Sequence, residues 1–306
     1  MEVKGGDRNK GFVMLYEMLG TATLIIALNF GSQYFTPIAV GLALYANIIY
    51  LGTVSGGHFN PAVTMAVLTR LGTENLGSNI FFSFFIIFAQ VLGAALGVLF
   101  CFIMTKRSEQ ELMIHPKIPT LCPANNIADP TLLCDGNGVF GHFFLTEVVV
   151  TFVFTSVILG FKFDNLSDDH VVAARSIGVT LFAMILLSAE ISGGCLNPAI
   201  GLVQSIFQHL VVNSYPVTYG LPTTKTSLNP LWVYLTAPTF GGVLAGLFSH
   251  FNAGVLAKQN NAAKSQKQSI HPAAASSQDM IHQLSNENSI HDVLNEATLL
   301  QAQNQK

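Results

Sequence analysis

Long apolar runs separated by short polar stretches dominate this chain. Six of them approach or reach the roughly 20 residues that a helix needs to cross the hydrocarbon core of a bilayer: 11–31, 37–55, 78–104, 139–163, 171–191 and 230–251. Two further runs, 60–71 and 197–208, are apolar but only about half that length. Short apolar helices beside full spans predict re-entrant half-helices, which survive at membrane depth only when protein or a water-filled cavity surrounds them. The pattern therefore predicts an all-α membrane protein of six transmembrane helices plus two re-entrant half-helices. A polar N-terminus, 1–10, precedes a membrane-embedded region, 11–252. After it the composition shifts to Gln, Asn, Ser, Ala and Lys, and 253–306 reads as a disordered tail, with a short helix near 290–301.

The embedded region is internally duplicated. Residues 55–62 read Ser-Gly-Gly-His-Phe-Asn-Pro-Ala and 192–199 read Ser-Gly-Gly-Cys-Leu-Asn-Pro-Ala, identical at six of eight positions. Each copy follows the second span of its half and opens a half-length helix. Glu17 with Thr21 in the first span is echoed by Glu147 with Thr151 in the fourth. The first repeat is about 11–104, the second about 139–252, and 105–138 is a loop between them. Three spans per repeat is an odd number, so the second repeat enters the membrane from the opposite face and the half-helices approach from opposite sides.

That arrangement has electrostatic consequences. Asn60 and Asn197 suit N-caps, and Pro61 and Pro198 suit the first helical position. The glycine pairs before them allow a tight backbone whose carbonyls can line a cavity. Two helix N-termini meeting at mid-membrane each bring about half a positive charge. Such a field repels cations and interrupts the oriented hydrogen bonds of a proton wire. Each Asn amide can donate toward the cavity while its oxygen caps the helix. Gly93 with Gly97, and Gly242 with Gly246, form GxxxG patterns that let helices pack closely in lipid.

Composition agrees with a lipid-facing chain: half the residues are hydrophobic, 10% are charged and the mean hydropathy is +0.49. The net charge of −3 suggests no nucleic-acid partner. The first apolar run is long enough to span, so no cleavable signal peptide is read. Lys4, Arg8 and Lys10 before the first span, and Lys258, Lys264 and Lys267 after the last, place both termini on the cytoplasmic side. Lys106, Arg107 and Lys117 in the outer loop 105–138 run against that bias. Cys122 and Cys134 share this loop and either pair or stand as free thiols. No nucleophile–base set and no metal-ligand spacing is present, so neither an enzyme, a cofactor nor a metal site is expected.

With two Asn-Pro-Ala boxes, a Glu opening each half and the third-span pair Ala89–Gln90, the chain resembles the aquaporin, or major intrinsic protein, family over about 11–252. The resemblance implies a passive pore in each protomer for water, and for small neutral solutes such as glycerol, urea or hydrogen peroxide. It also implies a homotetramer in the lipid bilayer, of either the plasma membrane or an intracellular vacuolar membrane. The pore motif residues would be Asn60, Pro61, Ala62, Asn197, Pro198 and Ala199. Glu17 and Glu147 would orient the loops leading into the boxes, and His58 and Cys195 would lie beside the pore.

By position relative to the boxes, the family's selectivity filter falls on Val40, Ile185, Gly194 and Ile200. Water-selective members carry Phe, His and Arg where this chain has Val40, Ile185 and Ile200. The filter is thus uncharged and resembles the apolar filters of some intracellular plant members. No basic residue lies close to Asn197 in the sequence to replace the Arg. Gly201 and Ser205 depart from the Asp and basic residue of the glycerol group, while Tyr234 fits the water group and Leu235 the glycerol group. Two other readings stay open: an ion-coupled transporter using Glu17 and Glu147, and a junctional membrane protein whose apolar pore is closed.

Overall fold

The computed structural model describes residues 10–30, 35–106, 137–214, 228, 230–255 and 262. Two compact units divide the chain, Met1–Phe251 and Asn252–Lys306. In the second unit the described residues, 252–255 and 262, are helical. Cys122, Cys134, most of the outer loop and the helix expected near 290–301 lie outside the described residues.

Every element among the described residues is helical. The first half consists of α1 (Lys10–Phe30), α2 (Thr36–Tyr50), α3 (Gly52–Ser55), α4 (Pro61–Leu71) and α5 (Leu76–Lys106). The second consists of α6 (Asn137–Phe163), α7 (His170–Ser188), α8 (Pro198–Ser214) and α9 (Leu231–Val255). Helices α1, α5, α6, α7 and α9 are long and apolar enough to cross a membrane. The span expected at 37–55 is instead α2 and α3, interrupted at Leu51. The outward faces of the long helices carry apolar side chains that water would not tolerate in such number, among them Phe81 of α5 at 66% and Leu187 of α7 at 66% exposure. Lipid is the solvent that fits this surface.

Two expected boundaries differ. Helix α7 stops at Ser188, short of 191, because the Ser188 carbonyl collects the N–H groups of Ile191, Ser192 and Gly193 at 3.0, 2.9 and 3.2 Å. This knot turns the chain into the second box loop. Helix α8 runs on past 208 to Ser214.

Glycine sets how closely the helices approach. A Cβ on Gly97 would sit 2.8 Å from the Ala22 carbonyl, and one on Gly93 would strike that of Met18, so the GxxxG of α5 is the seam with α1. The GxxxG of α9 seats against α4: a Cβ on Gly246 would lie 2.6 Å from the Ala66 carbonyl, and one on Gly242 would meet that of Ala62. A third seam joins α2 to α7, where Gly41 and Gly178 face each other's carbonyls, a Cβ on either reaching to 2.7 and 2.6 Å. With little hydrophobic drive between helices in lipid, such backbone proximity supplies the dispersion that holds them.

The repeat is inverted in space. Arg70, in the last turn of α4, meets Asp164 just beyond α6 and donates to Ser249 of α9, so these ends share one face. Gln204 of α8 donates to Asn29 near the end of α1 at 3.1 Å, and Phe207 meets Phe102 of α5 with ring centroids 5.5 Å apart. Helix α8 therefore runs toward the other face.

Candidate functional site: two crossed box loops

The two Asn-Pro-Ala boxes meet back to back. Asn60 caps α4 by accepting from Ala62 N at 2.8 Å, and its Nδ2 donates to the Leu196 carbonyl at 2.8 Å. Asn197 caps α8 by accepting from Ala199 N at 3.1 Å, and its Nδ2 donates to the Phe59 carbonyl at 2.9 Å. Each asparagine thus caps its own helix and ties down the other loop, and each amide retains one further N–H.

This reciprocity requires unusual backbone. The carbonyls of Phe59 and Leu196 are aimed across the interface because both residues have φ of 49°, in the left-handed region where bulky side chains are rare. The preceding Gly56 and Gly57 (φ 97° and 70°) and Gly193 and Gly194 (92° and 61°) bring the chain into that turn. Each non-glycine outlier costs about 1–3 kcal/mol, so other contacts must over-determine it.

Buried carboxylates provide them. Glu17 accepts from His58 N at 2.9 Å and Phe59 N at 2.6 Å, and Gln90 Nε2 donates to it at 2.8 Å. Glu147 accepts from Cys195 N at 2.9 Å, Leu196 N at 2.8 Å and Ser192 Oγ at 2.6 Å. Both carboxylates are fully buried, where N–H groups left without acceptors would be costly.

Val40, Ile185, Gly194 and Ile200 come together in one small cavity of about 30 Å³, room for a water molecule or two. Cys195 lines it as well, and so do Leu28, Gly201 and Tyr234. Sequence reasoning missed Leu28, and took Tyr234 only as a subgroup marker. Tyr234 Oη donates to the Ser192 carbonyl at 2.8 Å. Gly201 leaves it room: a Cβ there would lie 2.7 Å from Tyr234 Cβ and 2.9 Å from Cys195 Sγ. None of the described residues lining this cavity carries a charge.

His58 lies on the other side of the crossed loops. Lys162 Nζ is 2.8 Å from His58 Nε2, and His58 Nδ1 is 3.2 Å from Thr64 Oγ1. Thr64 also receives Gln90 Nε2 at 3.1 Å and donates to the Asn60 carbonyl at 3.1 Å. An ammonium only donates, so His58 accepts at Nε2 and carries its proton on Nδ1. Nothing in the sequence marked Lys162, 104 residues away. Neither Cys101 nor Cys195 is in a disulfide, and no cluster among the described residues could hold a metal ion.

Known proteins share this architecture. A profile described as Major intrinsic protein matches residues 11–249. The chain is 32% identical over 232 residues to Glycerol uptake facilitator protein-like 6 of Lactiplantibacillus plantarum, covering 74% of this chain and 88% of that protein. It is 26% identical over 246 residues to Aquaporin NIP1-1 of Zea mays, covering 78% and 70%. Among solved structures, the aquaglyceroporin from Plasmodium falciparum superposes with a TM-score of 0.58 at 19% identity, over 79% of this chain and 96% of that one.

Proposed function

This chain belongs to the major intrinsic protein family, and we propose that its pore for water and small neutral solutes passes between the two boxes and through an uncharged filter of Val40, Ile185, Gly194 and Ile200. The protein is an integral membrane channel; the solute range and the residues that set it are our reading. The observation that carries it is the pair of crossed asparagines beside a cavity lined by all four filter positions.

Asn60 and Asn197 each offer the remaining amide N–H to a passing oxygen, while the two half-helix N-termini make this point positive. Glu17 and Glu147 hold the loops that present the boxes. At the filter, Ile200 supplies no hydrogen-bond donor, so water crosses with fewer partners, while neutral solutes with apolar edges meet a compatible wall. Glycerol fits this description, and glycerol uptake is in the name of the bacterial relative. Urea and hydrogen peroxide belong to the same size class. Passage is passive, down a gradient, with no chemical turnover. Residues 11–252 form the channel, assembled as a homotetramer in the plasma membrane or an intracellular vacuolar membrane. Both termini, including the 253–306 tail, face the cytoplasm.

The test is osmotic. Proteoliposomes holding the assembled protein should shrink faster than protein-free vesicles under a sucrose gradient, by stopped-flow light scattering. Equal rates with correctly assembled protein would contradict the reading.

A further inference from the structure

The cavity that gathers Val40, Ile185, Gly194 and Ile200 also has a wall from α1, and Leu28 is the residue that forms it. We propose that Leu28 is a fifth member of the selectivity filter, whose bulk helps to set the largest neutral solute that passes. The inference rests on the channel reading above and assigns a further specificity-determining residue to that same site.

Leu28 belongs to the stripe of α1 that serves the box loops. Thr21 and Leu28 follow Glu17 by four and eleven residues, which at 3.6 residues per turn puts all three within about 40° of one another around the helix. Glu17 accepts from two N–H groups of the first box loop. Thr21 donates at 3.2 Å to the Phe59 carbonyl, the same carbonyl that Asn197 reaches from the second loop. Two turns beyond Thr21, about 10 Å along the axis, the stripe arrives at Leu28 and the filter cavity.

A contact to α8 fixes its depth. Asn29, next in the chain, accepts from Gln204 Nε2 at 3.1 Å, and Gln204 lies one turn beyond Ile200. The Asn29 amide has one orientation that serves both of its bonds: Nδ2 donates to the Ile25 carbonyl at 2.9 Å, which leaves Oδ1 for Gln204. Asn29 and Gln204 are both buried, where losing such a bond is costly. Helix α1 therefore cannot slide along α8 without breaking it, and Leu28 keeps its place on the wall it shares with Ile200.

The side chain offers neither a hydrogen-bond donor nor a charge, so it discriminates by volume. Leu28 is half-buried, packed against the buried core as well as lining the cavity. In a fitted apolar pocket a single methylene is worth about tenfold or more in discrimination, and Leu28 adds to a wall already built of Val40, Ile185 and Ile200. The close approach of α1 to α5 lies elsewhere, at Met18, Ala22 and Ile25 against Gly93 and Gly97. Shortening Leu28 should therefore widen the cavity without unseating the helix.

The experiment compares parent, Leu28→Ala, Leu28→Phe and Ile25→Ala in proteoliposomes by stopped-flow light scattering, with water, glycerol and the next-longer polyol, erythritol. Leu28→Ala should raise the ratio of erythritol to water permeability by about tenfold or more, and Leu28→Phe should lower the ratio of glycerol to water by a similar factor. Ile25→Ala removes the same number of carbons from the fully buried α1–α5 seam. It should lower the thermal midpoint while keeping both ratios within about twofold of the parent; Ile25→Val serves the same purpose if the alanine variant does not assemble. The proposal falls if Leu28→Ala conducts water with an unchanged erythritol ratio, whether or not Leu28→Phe assembles, or if the Ile25 variant shifts the ratios as far. Absence of water flux in the parent would instead overturn the channel reading.

Discussion

The two box loops share one backbone and differ in what their side chains reach. Each is turned by two left-handed glycines and one strained residue, each is held by a buried carboxylate that accepts two of its N–H groups, and each asparagine clasps the other loop. Beyond that scaffold the halves diverge. Around the first box, His58 leads to Thr64 and Lys162, and Gln90 joins Glu17 to Thr64. Around the second, Cys195 takes the place of His58, Gly201 that of Thr64, and Ile185 and Ile200 close the wall. Thr21 donates to the Phe59 carbonyl, whereas its counterpart Thr151 has no partner among the described residues. The common part satisfies backbone groups, which every copy of the loop must do in a membrane. The divergent part is under no such demand, so the two ends can be tuned separately.

If the scaffold is equivalent in the two halves, breaking it should cost the same in both. Glu17→Gln and Glu147→Gln each leave one loop N–H facing an amide NH₂, a loss of about 1–3 kcal/mol with the strained loop loosened as well. We expect both to lower the thermal midpoint of the detergent-solubilised protein by similar amounts, and to lower yield more than they alter the pH dependence of flux. A mutant that folds normally and loses a pH-dependent transport activity would favour coupled transport by these carboxylates.

Somewhat smaller effects should separate the halves. Gly201→Ala places a methyl against Tyr234 and Cys195, an overpacking worth about 1–3 kcal/mol. It should also reduce solute flux, because the collision borders the filter cavity. Thr64→Val removes the acceptor for both His58 Nδ1 and Gln90 Nε2, a cost of about 1–2 kcal/mol with the filter untouched. Its glycerol-to-water ratio should match the parent, and a changed ratio would show that the first-box side also sets solute range. Least of all, Asp164→Asn removes an ion pair of 3.8 Å between partly exposed groups, expected to be worth no more than about 1 kcal/mol.

Much of this fold was legible because the constraints are local. Apolar run length identifies α1, α5, α6, α7 and α9, and Asn-Pro marks where α4 and α8 begin. The break at Leu51 was not legible, since its only local signals, Gly52 and Thr53, are tolerated inside membrane helices and do not by themselves mark an interruption. The family resemblance, counted from the boxes, pointed to Val40, Ile185, Gly194 and Ile200, which share a cavity in the structure. Leu28 gave no signal, because its place on that wall depends on how α1 packs. Lys162 was hidden for a similar reason: it ends an apolar helix, where a cation is ordinary, and only the tertiary fold brings it to His58. Gly41 and Gly178 face each other across α2 and α7 without a GxxxG pattern in either helix.

The comparison is tested most directly at Ile200, where the second-box side departs from the polar first-box side. The decisive measurement is the ratio of glycerol to water permeability in proteoliposomes of parent and Ile200→Arg, by stopped-flow light scattering. A guanidinium would narrow the cavity and add donors that suit water. The account predicts measurable glycerol flux in the parent and a ratio falling by about tenfold or more in the variant, water flux being better preserved. A parent that conducts water and excludes glycerol, urea and hydrogen peroxide alike would contradict it.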